Sequence, residues 1–162
     1  DRPLAALRAE VIEAGQGLTG KGRVLTLACS HGAAASSAAG RVVLPCVAMA
    51  PPSLIDFVIS RGLADGVAIA GCAGRDCFHR FGIAWTQARL ARTRDPFLRK
   101  RVPHDRLLTL WAGPSETGRL ASELSRFSDR LADMPEFEKV RPLDDEEIAG
   151  LQAAATGRRA AG

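Results

Sequence analysis

The sequence predicts an α/β domain: a mostly parallel sheet with helices on both faces, flavodoxin-like in architecture. Three observations lead there. Short apolar runs alternate with segments of helical periodicity along most of the chain. The run Gly66 to Gly71 is apolar almost throughout, as expected of a strand covered on both faces. Finally, three of the apolar runs end in or beside a cysteine, at Cys29, Cys46 and Cys72, with Cys77 following in the third loop. In an open parallel sheet these loops share one carboxyl edge, where such folds bind their ligands.

The elements follow in order. Residues 3–14 read as a helix with Leu4, Leu7, Val11 and Ile12 on one face. Gly15, Gly17, Gly20 and Gly22 then punctuate the chain before a first strand at about 23–28. Ala33 to Ala39 is rich in small residues and suits a short helix lying close to the sheet. A second strand is expected over 41–46. Pro51-Pro52-Ser53 opens a helix, since Pro is tolerated in a first turn; Leu54, Ile55, Val58 and Ile59 give it an apolar stripe, and Gly62 stops it. The third strand is Gly66 to Gly71. A helix over 78–93 carries Trp85, Ala88, Leu90 and Ala91, and Asp95-Pro96 breaks it. The fourth strand is Leu107 to Trp111. Leu120, Leu124, Phe127 and Leu131 mark the clearest helix, ended by Pro135. Asp144 with Glu147 resembles a capping box before a last helix, and Gly157 to Gly162 form a small basic tail expected to fray.

The bulk numbers bound the function. A chain of 162 residues suits one domain with a sizeable core. We divide it into an N-terminal helix and Gly-rich linker (1–22), an α/β iron–sulfur domain (23–134) and a C-terminal helical extension and tail (135–162). With no Tyr and few aromatics, the core must be built from Ala, Val, Leu and Ile. The net charge of +4 is mild and, without a binding motif, gives no argument for nucleic acid. No apolar stretch is long enough for a membrane span, and no signal peptide is evident. The expected location is cytoplasmic, where four cysteines are more readily metal-binding or catalytic than disulfide-bonded.

The cysteine spacing is C-x16-C-x25-C-x4-C. Four converging thiols with no evident catalytic group suggest a metal centre, with iron–sulfur the first reading. The x4 pair would clamp one iron while the distant pair closes the site. A structural zinc site more often shows two short knuckles. Gly71 and Gly74 would let the main chain approach inorganic sulfide, and Arg75, His79 and Arg80 would offset the cluster's negative charge, with Asp76 in the same loop. Two alternatives stay open: a zinc-stabilised interaction module using the same thiols, and a thiol–disulfide switch at Cys72/Cys77.

The segment Gly71-Cys72-Ala73-Gly74-Arg75-Asp76-Cys77-Phe78-His79-Arg80-Phe81-Gly82 resembles the delta subunit of methyl-viologen-reducing hydrogenase, a family of hydrogenase iron–sulfur subunits. Ala64-Asp65-Gly66-Val67 leads into the strand as in that family. Trp85 and Arg89 fit its helix, Arg106 to Glu116 its closing strand and turn, and Cys29-Ser30 and Pro45-Cys46 its other loops. The likeness covers about residues 22–130. It departs where the usual His-Pro-Gly after the first loop cysteine is Ala73-Gly74-Arg75. The resemblance implies a [2Fe–2S] cluster held by Cys29, Cys46, Cys72 and Cys77. It also implies one-electron transfer between a hydrogenase or formate dehydrogenase and a heterodisulfide-reductase-like flavoprotein, so the chain would be a component of an oxidoreductase rather than a complete enzyme.

Other polar groups compete weakly for a role. His31, two residues past Cys29, could replace a thiol in a Rieske-like or zinc site, but four cysteines already suffice. His79 is expected in a supporting or surface role, and His104 exposed in a polar loop. The basic run Arg89, Arg92, Arg94, Arg99, Lys100 and Arg101 lacks interleaved aromatics for base stacking. It reads as a solvated face or a dock for an acidic redox partner.

Overall fold

The computed structural model describes residues 2–37 and 39–157. Ala38 of the expected 33–39 helix and residues 158–162 of the expected tail lie outside that range. The strands are β1 (Val24–Cys29), β2 (Arg41–Leu44), β3 (Gly66–Gly71) and β4 (Leu107–Trp111); the helices are α1 (Leu4–Gln16), α2 (Ala34–Ser37), α3 (Pro52–Ser60), α4 (Gly82–Leu90), α5 (Thr117–Asp133) and α6 (Asp145–Gly157). All strand pairings are parallel, in the order β2-β1-β3-β4. The order of strand addition switches sides between β1 and β3, with β2 on one flank of β1 and β3 on the other. No helix of the described residues is long and apolar enough to cross a membrane.

Period-two alternation sorts the strand residues onto two different surfaces. Leu25, Leu27, Val67 and Ile69 join Leu7, Val11 and Ile12 of α1 and Leu54, Val58 and Ile59 of α3 in the main core. Ala28 and Ala70 pack with Ala34 of α2 and Leu120 of α5 in the second. Large residues on one face and alanines on the other let α5 lie close to the sheet. Phe127 fills the space beside Gly66, where an added Cβ would fall 2.8 Å from the ring tip. The flanking segments share the main core: α1 buries Leu7, Val11 and Ile12 in it, and Ile148 and Leu151 of α6 pack against it.

Local chemistry sets the ends of the elements. Asp65 accepts from the Arg23 backbone N–H at 2.8 Å and faces the Arg23 guanidinium, tying together the starts of β1 and β3. The capping box forms as expected: Glu147 N–H donates to Asp144 Oδ1 at 2.8 Å, and Asp144 N–H to Glu147 Oε2 at 3.1 Å. Two elements are shorter than the sequence reading. β2 stops at Leu44, because Pro45 has no N–H for the ladder, and Cys46 instead starts the 3-10 turn Val47–Met49. The helix expected over 78–93 spans only Gly82–Leu90, because Arg80 and Arg92 take left-handed φ of 54° and 60° that no helix accommodates.

Phe127 is fully buried and has no polar group to satisfy. Phe127→Ala is expected to cost about 3–5 kcal/mol. In urea this should lower the midpoint of unfolding with an unchanged slope.

Candidate metal centre

The four cysteines stand at the carboxyl edge, around the point where the strand order reverses. Cys29 is the last residue of β1, and Cys72 follows β3 directly. Cys46 lies two residues beyond β2, and Cys77 in the loop leading to α4. All four are free thiols; Cys29, Cys46 and Cys72 are buried and Cys77 is half-buried. Ser30 N–H donates to Leu44 O at 2.8 Å and Ser30 Oγ to Pro45 O at 3.3 Å, locking the Cys29 loop to the Cys46 loop. Cys29 Sγ lies 3.7 Å from the same Pro45 oxygen.

The sulfurs interact around a closed circuit. Cys46 feels the charges of Cys29 and Cys77. Cys72 feels Cys29 and is hydrogen-bonded to Cys77. A Cβ at Gly82 would fall 2.5 Å from Cys46 Sγ and 3.5 Å from Cys77 Sγ, so the bare first residue of α4 lies directly against both. Among the described residues no three Cys, His, Asp or Glu side chains are arranged to hold a single metal ion. Cys46 and Cys72 each interact instead with both Cys29 and Cys77.

Backbone N–H groups point at three of the sulfurs. Burial is the largest influence on Cys46 and pushes its thiol up; the Ala48 N–H opposes it, and the charges of Cys29 and Cys77 add to it. Cys72 is pushed up to about 11, chiefly by burial and then by charge at Cys29 and Cys77, against the Phe78 N–H. Cys77 is also raised by burial, but donors outweigh this and hold it below the ordinary thiol range. They are the N–H of Ile83, the thiol of Cys72 and the N–H groups of His79 and Gly82. Two of these N–H groups open α4, so Cys77 sits where helix termini favour thiolate. The left-handed turn at Arg80 wraps the chain so that they can reach it.

The other residues singled out by sequence have varied surroundings. A Cβ on Gly71 would meet the Trp111 ring at 2.6 Å, so this glycine accommodates Trp111. Gly74 faces open space. Arg75, Asp76, His79 and Arg80 are exposed. His31 is stacked on Phe78 at 4.1 Å between ring centroids, and His79 meets Phe78 edge-on at 5.0 Å. His104 is exposed, and its Nε2 lies 2.8 Å from Leu90 O. The basic run is largely engaged internally. Arg89 donates to Ala48 O at 2.7 Å, Arg92 to the carbonyls of Leu98, Arg99 and Val102, and Arg101 pairs with Asp56 at 2.6 Å.

Gly82 is the site residue that sequence reasoning misses. A signal for it exists: a glycine opening a helix at a negative φ needs no conformational freedom, so close contact is the remaining reason for it. Chemically, four thiols with N–H donors in a mostly dry pocket form a soft donor set for a thiophilic metal.

The pKa directions are testable in the reduced, metal-free chain. Thiolate is the reactive form, so a lowered pKa exposes it at lower pH and a raised one delays it. Iodoacetamide labelling between about pH 7 and 9, followed by mass spectrometry, should modify Cys77 first and Cys72 last. Equal rates at Cys72 and Cys77 at the lower pH would contradict this hydrogen-bond arrangement.

Residues 23–135, well over half of the chain, match the family model of the methyl-viologen-reducing hydrogenase, delta subunit. The match spans the whole sheet, all four cysteines and α5. No curated protein matches the chain. With its four-stranded parallel sheet and cysteine-lined carboxyl edge, this chain belongs to the methyl-viologen-reducing hydrogenase delta subunit family.

Proposed function

We propose that Cys29, Cys46, Cys72 and Cys77 hold a [2Fe–2S] cluster and that the chain relays single electrons between larger oxidoreductase subunits. The observation that carries this reading is the meeting of four free thiols at the carboxyl edge of the sheet, with Cys46 and Cys72 each interacting with both Cys29 and Cys77. Each iron of such a cluster takes two protein ligands, so the set does not require three donors on one ion. The cradle left by Gly82 against Cys46 and Cys77 supports the same reading.

When bound, the cluster supplies one reversible electron. The chain's own residues do the rest. The Cys72 loop and the Cys46 turn come from separate strands of one rigid sheet, so ligand positions are set before metal arrives. Backbone donors at Ala48, Phe78, His79, Gly82 and Ile83 stabilise charge on sulfur and tune the potential. Trp111 and Val47 pack beside Gly71, next to Cys72, and shield the inner side from water. Family membership supports an oxidoreductase partner. A heterodisulfide-reductase-like flavoprotein on one side and a hydrogenase or formate dehydrogenase on the other are the partners we propose.

One observation favours a second reading. Cys72 is hydrogen-bonded to a Cys77 with lowered pKa, the arrangement of a thiol–disulfide switch. Such a switch would not need Cys29 or Cys46.

Iron, sulfide and zinc analysis on anaerobically purified chain, with its visible spectrum, tests the assignment. About two iron and two sulfide per chain are expected, with bands that bleach on dithionite addition. Zinc in a colourless sample would sink the relay. Replacing any one cysteine by Ser should remove most of the colour; retention after both Cys29→Ser and Cys46→Ser would favour the switch. Gly82→Ala should also lose most of the bound iron while keeping the helical circular dichroism, because its Cβ collides with a ligand sulfur and not with the core.

A further inference from the structure

We infer that the rim of the thiol pocket is a docking face for an acidic electron-carrier protein. This inference rests on the relay reading and names the surface through which such a relay would work. Met49, Phe78, Phe81 and Trp85 are 43%, 67%, 59% and 41% exposed. They come from only two segments, the 3-10 turn after Cys46 and the stretch from Cys77 into α4. Isolated exposed apolar residues need no explanation, but a cluster beside a candidate site marks an interaction surface. Aromatics, Met and Arg are also the residue types enriched in protein interfaces.

The charge around this patch is predominantly positive. Residues 73–101 carry eight Arg or Lys and two Asp, while the remainder of the chain is slightly acidic. Arg89, Arg92 and Arg101 are spent on internal bonds. Arg75 and Arg80 stand exposed in the Cys77 loop, and Arg94 lies over Trp85 at 4.8 Å. An apolar centre rimmed by cations fits a partner with an apolar centre and an acidic rim, and opposite fields speed encounter. Cys77, the one incompletely buried thiol of the four, lies within this face.

Two other occupants fit less well. A second copy would bring the same basic patch against itself in a two-fold contact, placing like charges together. Single-stranded nucleic acid needs free aromatic faces. Here the rings are committed to each other: Phe81 is stacked on Trp85 at 5.9 Å, Phe78 on His31, and Arg94 covers Trp85.

The test uses the full chain purified anaerobically, with iron content recorded for every sample, and an acidic flavodoxin as probe. Calorimetric titration at about 20 and 200 mM salt should give binding that weakens with salt. Hydrogen exchange should show protection over residues 46–49 and 75–85. Arg94→Glu should weaken binding at least tenfold at unchanged iron content, and Trp85→Ala should weaken it at both salt concentrations. Absence of binding at low salt, protection elsewhere, an unaffected charge-reversal variant, or stronger protection of the same residues by a single-stranded oligonucleotide would each overturn the docking face. Because binding is read without electron transfer, a chain that lacks iron but binds at this face would sink the relay and leave the face standing.

Discussion

Thiolates held close together repel one another, and every part of the pocket bears on that constraint. Burial raises Cys46 and Cys72, and the neighbouring sulfurs raise them further. Cys77 escapes only because the first N–H groups of α4 and the Cys72 thiol aim at it. Without metal, negative charge on sulfur is therefore favoured at Cys77 over Cys46 and Cys72. A cation shared by the four would relieve the repulsion that the fold builds in, and its binding would release protons.

That arrangement depends on the sheet. Parallel strands deliver their C-terminal loops to one edge, and reversal of the strand order between β1 and β3 opens a crevice there. Pro45 stops β2 early enough for Cys46 to turn back over the edge, and its carbonyl is shared by Ser30 Oγ and Cys29 Sγ. On one face α1 and α3 cover the large aliphatic side chains, and on the other α5 lies close over alanines. The pocket floor is therefore continuous with the main core, which includes Cys29 and Cys72 themselves.

The outer side of the pocket is built on the opposite principle. Few aromatics are available, and three of them, Phe78, Phe81 and Trp85, are left exposed within eight residues of chain. Their stacking on one another, on His31 and under Arg94 gives a stiff surface without burial. The same short stretch, residues 77–85, contributes a thiol, the donors that stabilise it and the exposed rings. Access to the sulfurs and recognition at the rim are thus coupled by covalent proximity.

How much of this was legible in the sequence follows from which interactions are local. The alternation of strands and helices, the capping box at Asp144 and Glu147, the spans of β3 and β4 and the four cysteines at strand ends all depend on composition and periodicity over a few residues. Those features identified the α/β class, while the family was legible only through the resemblance of the Gly71–Gly82 segment and its neighbouring motifs. Three-dimensional packing decided the rest. Gly71 and Gly82 look alike in sequence, yet one accommodates Trp111 and the other the thiols, because that choice depends on which distant element lies opposite. Arg89, Arg92 and Arg101 read as a solvated face or a dock, but they bind Ala48 O of the 3-10 turn, carbonyls of the loop after α4 and Asp56 of α3, partners that local sequence does not reveal. The N–H groups facing Cys77 follow from the left-handed turn at Arg80, whose N–H donates to Cys77 O at 2.9 Å, a backbone state that an arginine in the sequence does not announce. Local sequence determined which residues could serve the site; tertiary structure alone decided which of them face it.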